Sequence, residues 1–449
     1  MKRSVAGERV VVVGSGRSGV AAALVAKADG AREVVLNDQR PALEDALTAR
    51  LLGAGVGLSL GGHPEALFAV ADTVVLSPGV PPLDPVEAAA ARGVRVIGEL
   101  ELGAWHTRAP VVAITGTNGK STVTTLVGEM LAASGFDTFV GGNLGTPLCE
   151  AVGARALEAE GRCVLEVSSY QLETIVDFRP SVAVWLNLTP DHLDRYGNMA
   201  AYGAAKARIF LNQRPEDHAV VPGDDPLMVS FARGSAAQIH TYGAEQSAVK
   251  LSEDAIVDAA HGRYRLDALK IRGSHNVGNA MAAVLAARLA GATHEAIAAV
   301  LGRFPGLPHR MQFVASVGGV EYFDDSKATN VGAALKALEG TDRPVVLIAG
   351  GRDKGGSYEP LVQLLRMKGR GVVTLGEAAP LIESALGGAV PFERAPTMAA
   401  AVRTAHRMAR AGDCVLLAPA CSSLDMYPNY AARGRDFADA VRALEGGSQ

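Results

Sequence analysis

One pattern recurs along the 449-residue chain and restricts its fold more than any other feature. A short Val/Ile/Leu run is followed by a glycine or polar turn and then by an Ala-rich amphipathic stretch. Strands of this kind are buried on both faces beneath helices, so the pattern specifies α/β layers. Residues 10–13 open the first unit, with a helix from about Val20, and residues 34–36 and 74–76 continue its sheet. A second unit begins at residues 111–114 after the connector 103–110, with strands at 164–167, 182–186 and 219–221 and a last helix near 277–289. The Gly/Pro-rich stretch 302–308 reads as a linker. Strands at 320–323, 345–349, 372–375 and 414–418 then form a third unit. Three α/β domains in series are expected, over residues 1–106, 107–307 and 308–449.

Composition narrows the class. Apolar residues make up 48% of the chain but aromatics only 5%, so the cores must be Val, Leu and Ala. A formal net charge of −4 does not fit a general nucleic-acid footprint. No apolar run approaches the roughly 18 residues of a membrane helix, and the first nine residues lack a signal-peptide core. Cys149, Cys163, Cys414 and Cys421 show no CxxC spacing, which speaks against zinc and against a disulfide framework. A cytoplasmic chain without nucleic-acid or membrane partners is expected.

Two glycine-rich turns carry chemistry. Gly14, Gly16 and Gly19 fit G-x-G-x-x-G between a strand and a helix, and Asp38 ends the second strand. That geometry brings backbone to a diphosphate at a helix N-terminus, without saying which diphosphate; a nicotinamide dinucleotide, another nucleotide and a mere tight turn all remain open. Ser77-Pro78-Gly79 follows the neighbouring strand as the other rim of the same crevice. The loop Thr115-Gly116-Thr117-Asn118-Gly119-Lys120-Ser121-Thr122 is more specific. It is shorter than G-x-x-x-x-G-K-[ST], yet it keeps backbone N–H groups for phosphates, Lys120 for the transferred group and Ser121 or Thr122 for Mg²⁺. Glu166 in a Val/Leu strand is costly unless it meets a cation, and His192 lies just past the strand at 182–186.

Lys206 falls on one helical stripe with Tyr202, Ile209 and Phe210. Two readings stand: an apolar stem snorkelling its amine into water, or a desolvated amine available to carbon dioxide.

These motifs, with Glu166-Val167-Ser168-Ser169-Tyr170-Gln171-Leu172, Asn187-Leu188-Thr189-Pro190-Asp191-His192, Ser274-His275-Asn276-Val277-Gly278-Asn279 and His309-Arg310, resemble the Mur ligase family from end to end. The shared set extends to folylpolyglutamate synthases. Asp324-Asp325-Ser326-Lys327-Ala328-Thr329-Asn330 and Ala418-Pro419-Ala420-Cys421-Ser422-Ser423-Leu424-Asp425 are similar to the branch of the family that adds D-glutamate. The resemblance implies a Rossmann-like UDP domain, a central P-loop ATPase-like domain and a C-terminal Rossmann-like domain. It implies an ATP-dependent amide ligase of peptidoglycan precursor synthesis, working as a monomer. D-Glutamate would be joined to UDP-N-acetylmuramoyl-L-alanine through an acyl phosphate, releasing ADP and phosphate.

Residue by residue, the resemblance implies catalytic roles for Lys120, His192 and Lys206. Two Mg²⁺ ions would be held by Ser121 and Glu166 and by His192 and a carbamylated Lys206, which requires carbon dioxide. Gly116 to Thr122, Asn276, Asn279, Arg310 and Asp325 would meet ATP. Ser15, Gly16, Arg17, Asp38, Arg40, Ser77, Gly79, Asn143 and His192 would meet the UDP-sugar; the family has Thr where this chain has Gln39. Lys327, Thr329, Lys354, Ser423 and Tyr430 would hold D-glutamate, Tyr430 standing where the family often has Phe. A nicotinamide oxidoreductase would leave the loop at 115–122 without a role. A folate ligase would not need the first domain, and a regulatory switch would not need an amino-acid pocket.

Overall fold

The computed structural model describes residues 3–446 except 272, 273 and 356. Three sheets form among the described residues. The first contains β1 (Arg9–Val13), β2 (Glu33–Asp38), β3 (Gly57–Leu60), β4 (Thr73–Leu76) and β5 (Arg95–Gly98), all parallel, in the order β3-β2-β1-β4-β5. Alternate valines of β1 serve opposite faces, Val10 and Val12 packing into one apolar layer and Val11 and Val13 into the other. The following helix, Arg17–Ala28, starts three residues earlier than its apolar pattern suggests. Gly16 is extended and caps it, so Arg17, Ser18 and Gly19 form its first turn.

The second sheet is built from β6 (Val111–Thr115), β7 (Thr138–Gly142), β8 (Arg162–Glu166), β9 (Val182–Trp185), β10 (His218–Pro222), β11 (Gln238–Gly243), β12 (Val249–Ser252), β13 (Ala255–Asp258) and β14 (Gly262–Arg265). Its order is β14-β13-β12-β11-β10-β9-β6-β8-β7, with an antiparallel run from β12 to β14. The third contains β15 (Gln312–Val317), β16 (Val320–Asp324), β17 (Val345–Gly350), β18 (Gly369–Leu375), β19 (Phe392–Arg394) and β20 (Cys414–Leu417). Its order is β15-β16-β20-β17-β18-β19, parallel except for the β15–β16 pair. Val345, Leu347 and Ala349 of β17 face one core layer and Val346 and Ile348 the other.

By their contacts the residues group into two compact units. Met1–Asn187, Gly203–Ala268 and Asn279–Gly302 form the first, which holds two sheets. Leu188–Tyr202, Leu269–Gly278 and Arg303–Gln449 form the second, around the third sheet. No helix among the described residues is long and apolar enough to cross a membrane.

Candidate active site

In the first unit, the phosphate-type loop joins β6 to the helix Lys120–Ala133. Gly119, at its N-cap, has φ +84°, and a Cβ there would collide with Asn279 Oδ1. Glycine is therefore required, and Asn279 lies against the loop. Lys120 Nζ donates to the carbonyls of Gly116 and Thr117 at 2.7 and 2.8 Å, so the ammonium lies over its own loop. Asn187 was given no role by the sequence, yet it clamps this loop. Its Oδ1 accepts from Asn118 N at 2.9 Å and its Nδ2 donates to Asn118 O at 3.0 Å. The available signal was its position directly beyond β9, the strand beside β6.

Glu166 ends β8 and does not interrupt it; Val167, expected in the strand, lies beyond it. A capping box between Ser168 and Gln171 starts a helix immediately afterwards and fixes the exit of the chain. Glu166 is 3% exposed, and Ser121, at the head of the loop helix, is buried too. Asn143 Nδ2 donates to Glu166 Oε1 at 2.7 Å, so the residue that the sequence assigns to the sugar orients this carboxylate. Lys206 is 1% exposed among buried Tyr202, Ile209 and Phe210. Its Nζ donates to Gly116 O at 3.0 Å, which rules out the snorkelling reading and places the amine on the phosphate loop.

The first glycine turn is organised by Asp38. Its carboxylate accepts from Ser15 N at 2.7 Å, Ser15 Oγ at 2.5 Å and Arg40 N at 2.9 Å, and Arg40 also bonds Ser15 Oγ. Burial opposes ionisation of Asp38, but these hydrogen bonds prevail and hold its carboxyl well below the usual range. Ser77 Oγ reaches Gly14 O at 3.2 Å, joining the two rims as expected, with Gly79 two residues on. Arg17 turns away to Glu150, at 2.6 and 2.8 Å, and to Gly145 O at 3.2 Å. Beside Ser15 and Arg17 opens a cavity of about 520 Å³ walled by Val20, Leu24, Leu47 and Val152.

The second unit holds the other residues. His192 has φ +54°, a left-handed conformation that costs about 1–3 kcal/mol in a non-glycine residue and gathers at functional sites. Its ring meets Tyr202 edge-on at 6.2 Å. Neighbouring Asp191 accepts from Asn330 Nδ2 at 2.9 Å and lies 3.7 Å from Lys354 Nζ. Lys354 is thus brought beside the His192 segment, already partnered by a carboxylate. Lys327 Nζ lies 3.1 Å from Tyr430 OH and 4.4 Å from that ring's centroid. Thr329 is half-buried after β16, and Ser423 is buried after β20. Asp325 is buried near Arg310; burial pushes its carboxyl up to about 7, the Arg310 charge opposing. Asn276 is half-buried in the same unit.

A phosphate loop on the second of three α/β sheets along the chain, with a buried lysine and carboxylate beside it, defines a nucleotide-dependent enzyme. Family models agree: the MurD-like N-terminal domain matches residues 8–98, the Mur ligase middle domain 114–287 and the glutamate ligase domain 309–421. Among curated relatives, the UDP-N-acetylmuramoylalanine–D-glutamate ligase of Geotalea uraniireducens is 45% identical over 448 residues, 98% of both chains. The ligase of the same name from Pelotomaculum thermopropionicum is 44% identical over 451 residues, again 98% of both. In fold, the UDP-N-acetylmuramate–alanine ligase of Thermotoga maritima superposes with a TM-score of 0.61 at 19% identity, covering 97% of this chain and 99% of that one. This chain belongs to the Mur ligase family.

Proposed function

We propose that the protein joins D-glutamate to UDP-N-acetylmuramoyl-L-alanine with ATP, as a cytoplasmic monomer in peptidoglycan precursor synthesis. The observation that carries this reading is identity of 44–45% to ligases of that name along 98% of both chains. The acceptor carboxylate takes the γ-phosphoryl group and ADP leaves; the D-glutamate amine then attacks the acyl phosphate, and phosphate leaves as the amide forms. Lys120 and the N-terminus of its helix hold the phosphates and offset their charge. Asp38 and Arg40, with Ser15, hold the UDP-sugar by its nucleotide end, while Lys327, Thr329, Lys354, Ser423 and Tyr430 anchor the amino acid.

Ser121 and Glu166 present a hydroxyl and a carboxylate, hard oxygens that fit Mg²⁺ bound mainly through substrate phosphates. Mg²⁺, when bound, neutralises charge on the transferred phosphoryl group. A second ion would use His192 and a carbamylated Lys206. The buried Nζ supports that modification: its neutral form adds to carbon dioxide, loses a proton and becomes an anionic oxygen ligand.

The test is ADP release measured with each substrate omitted in turn. Release should require both the UDP-sugar and D-glutamate, and L-glutamate should not replace the D-isomer. Loss of one charge-assisted anchor is worth roughly 1.5–3 kcal/mol, so turnover with D-aspartate should fall about tenfold or more. ADP formed with folate, or equal turnover of L-glutamate, would overturn the reading.

A further inference from the structure

The helix Tyr430–Gly446 carries in its first turn a residue that no motif singled out. Arg433 is a cation only 2% exposed. Its Nε donates to Ser326 Oγ at 2.9 Å and its Nη2 to Ser326 O at 2.8 Å. Nη1 and Nη2 each reach Cys421 O at 3.2 Å, and Nη1 lies 3.4 Å from Gly350 O. All of these acceptors are neutral oxygens; burial opposes the charge, and the carboxylates of Asp425 and Asp324 favour it only through space. A hydrophobic side chain would fill the same volume without desolvating a cation. What only a guanidinium supplies is five donors in one rigid plane.

Those acceptors lie at the C-terminal ends of three third-sheet strands, where three separate loops begin. Ser326 follows β16 and precedes Lys327; Gly350 ends β17, four residues before Lys354; Cys421 follows β20, two residues before Ser423. Ser326 Oγ also donates to Tyr430 O at 2.8 Å, which ties in the start of the helix itself. The next residue, Gly434, leaves no freedom for this turn to shift. A Cβ there would collide with His309 Nδ1 and lie 2.6 Å from Asp324 Oδ2, two atoms that are themselves 2.6 Å apart. The turn is therefore seated against β16 while Arg433 spreads across the three loops.

We propose that Arg433 is a positioning residue for the amino-acid subsite: its guanidinium fixes the loops that carry Lys327, Lys354 and Ser423 relative to one another, and so sets the affinity for D-glutamate without touching it. The proposal rests on the D-glutamate reading above. Two facts separate this role from plain stabilisation: the loops tied together are those bearing the anchors, and the tie uses directional donors where bulk would suffice.

The experiment compares Arg433→Lys and Arg433→Ala in the full-length enzyme, with KM measured separately for D-glutamate, ATP and the UDP-sugar. Anchors moved out of hydrogen-bond reach lose charge-assisted contacts to the amino acid, so the D-glutamate KM of Arg433→Lys should rise roughly ten- to hundredfold. The KM values for ATP and the UDP-sugar should stay within about twofold. Methylguanidine should lower the D-glutamate KM of Arg433→Ala, and methylammonium at equal concentration should not. Should Arg433→Ala fail to fold, Arg433→Lys, which keeps charge and most volume, decides alone. A lower melting temperature or kcat with all three KM values unchanged would reduce Arg433 to a structural residue and overturn the proposal. A wild-type enzyme whose ADP release ignores D-glutamate would instead overturn the functional reading.

Discussion

Lys206 shows how much one side chain's surroundings decide. On the wet face of a helix it would be an ordinary ammonium; here it is buried, and its amine lies against Gly116 O. Lys206→Ala should nearly abolish turnover while leaving the fold intact, and acetate or formate should restore part of it where chloride at matched ionic strength does not. Lys206→Arg should also fail, because guanidinium keeps its charge and is not carbamylated under these conditions. Near-full activity of Lys206→Arg would return the residue to a structural role. Two buried carboxyls give a pH prediction at the same scale. Burial pushes Glu99 from its ordinary 4.5, and Asp325 from 3.8, up to about 7 each. Between those limits the folded chain holds protons that the unfolded chain has lost. Their contribution to stability is therefore full at acid pH, below the ordinary values, and is lost as pH rises through about 7. The melting temperature of the ligand-free protein should fall across that window, and Glu99→Gln or Asp325→Asn should each flatten the slope. A slope unchanged in both variants would refute the assignment.

Among the elements, the short helix Glu99–Trp105 is held by an acceptor that its length would not suggest. The fully buried Glu101 accepts from the backbone N–H of Val176, Asp177 and Phe178 at 2.9, 2.8 and 3.0 Å, and from Trp105 Nε1 at 2.8 Å. Glu101→Ala strands four donors, one on buried Phe178 and three on half-buried residues, each in a charge-assisted bond, and should destabilise the first unit by about 3–5 kcal/mol in urea unfolding. A loss below about 1 kcal/mol would mean that water replaces the carboxylate. Elements buried on both faces were legible in the sequence: β1, β6 and β17 all lie within a residue of their apolar runs. The antiparallel run β12–β14 was not, because Lys250, Arg263 and Arg265 interrupt its apolar pattern. Half-exposed strands need only alternate residues to be apolar, and over four positions that signal is weak.

For the whole molecule, two compact units argue against a single two-state unfolding step. The residues that we assign to the UDP end, Ser15, Asp38 and Arg40, all lie in the first unit. UDP at about 100 times its dissociation constant should therefore stabilise that unit by about 2.7 kcal/mol. In calorimetry this should appear as one transition moving upward and another staying in place. Both moving together, or neither, would contradict that placement.

The α/β layering, the phosphate loop and most of the polar residues at the strand ends follow from the order of amino acids alone. Each of these is written in a few adjacent positions: a valine run, a Gly-Lys-Ser turn, a carboxylate at the end of an apolar strand. What those groups do to one another comes from the folded arrangement. It set Asn143 on Glu166, Asp191 beside Lys354, and Arg433 across the loops of Ser326, Gly350 and Cys421. These partners are separated by 12 to 163 residues along the chain. A hydrogen bond over such a span depends on how strands are ordered in a sheet, and local periodicity does not encode that order.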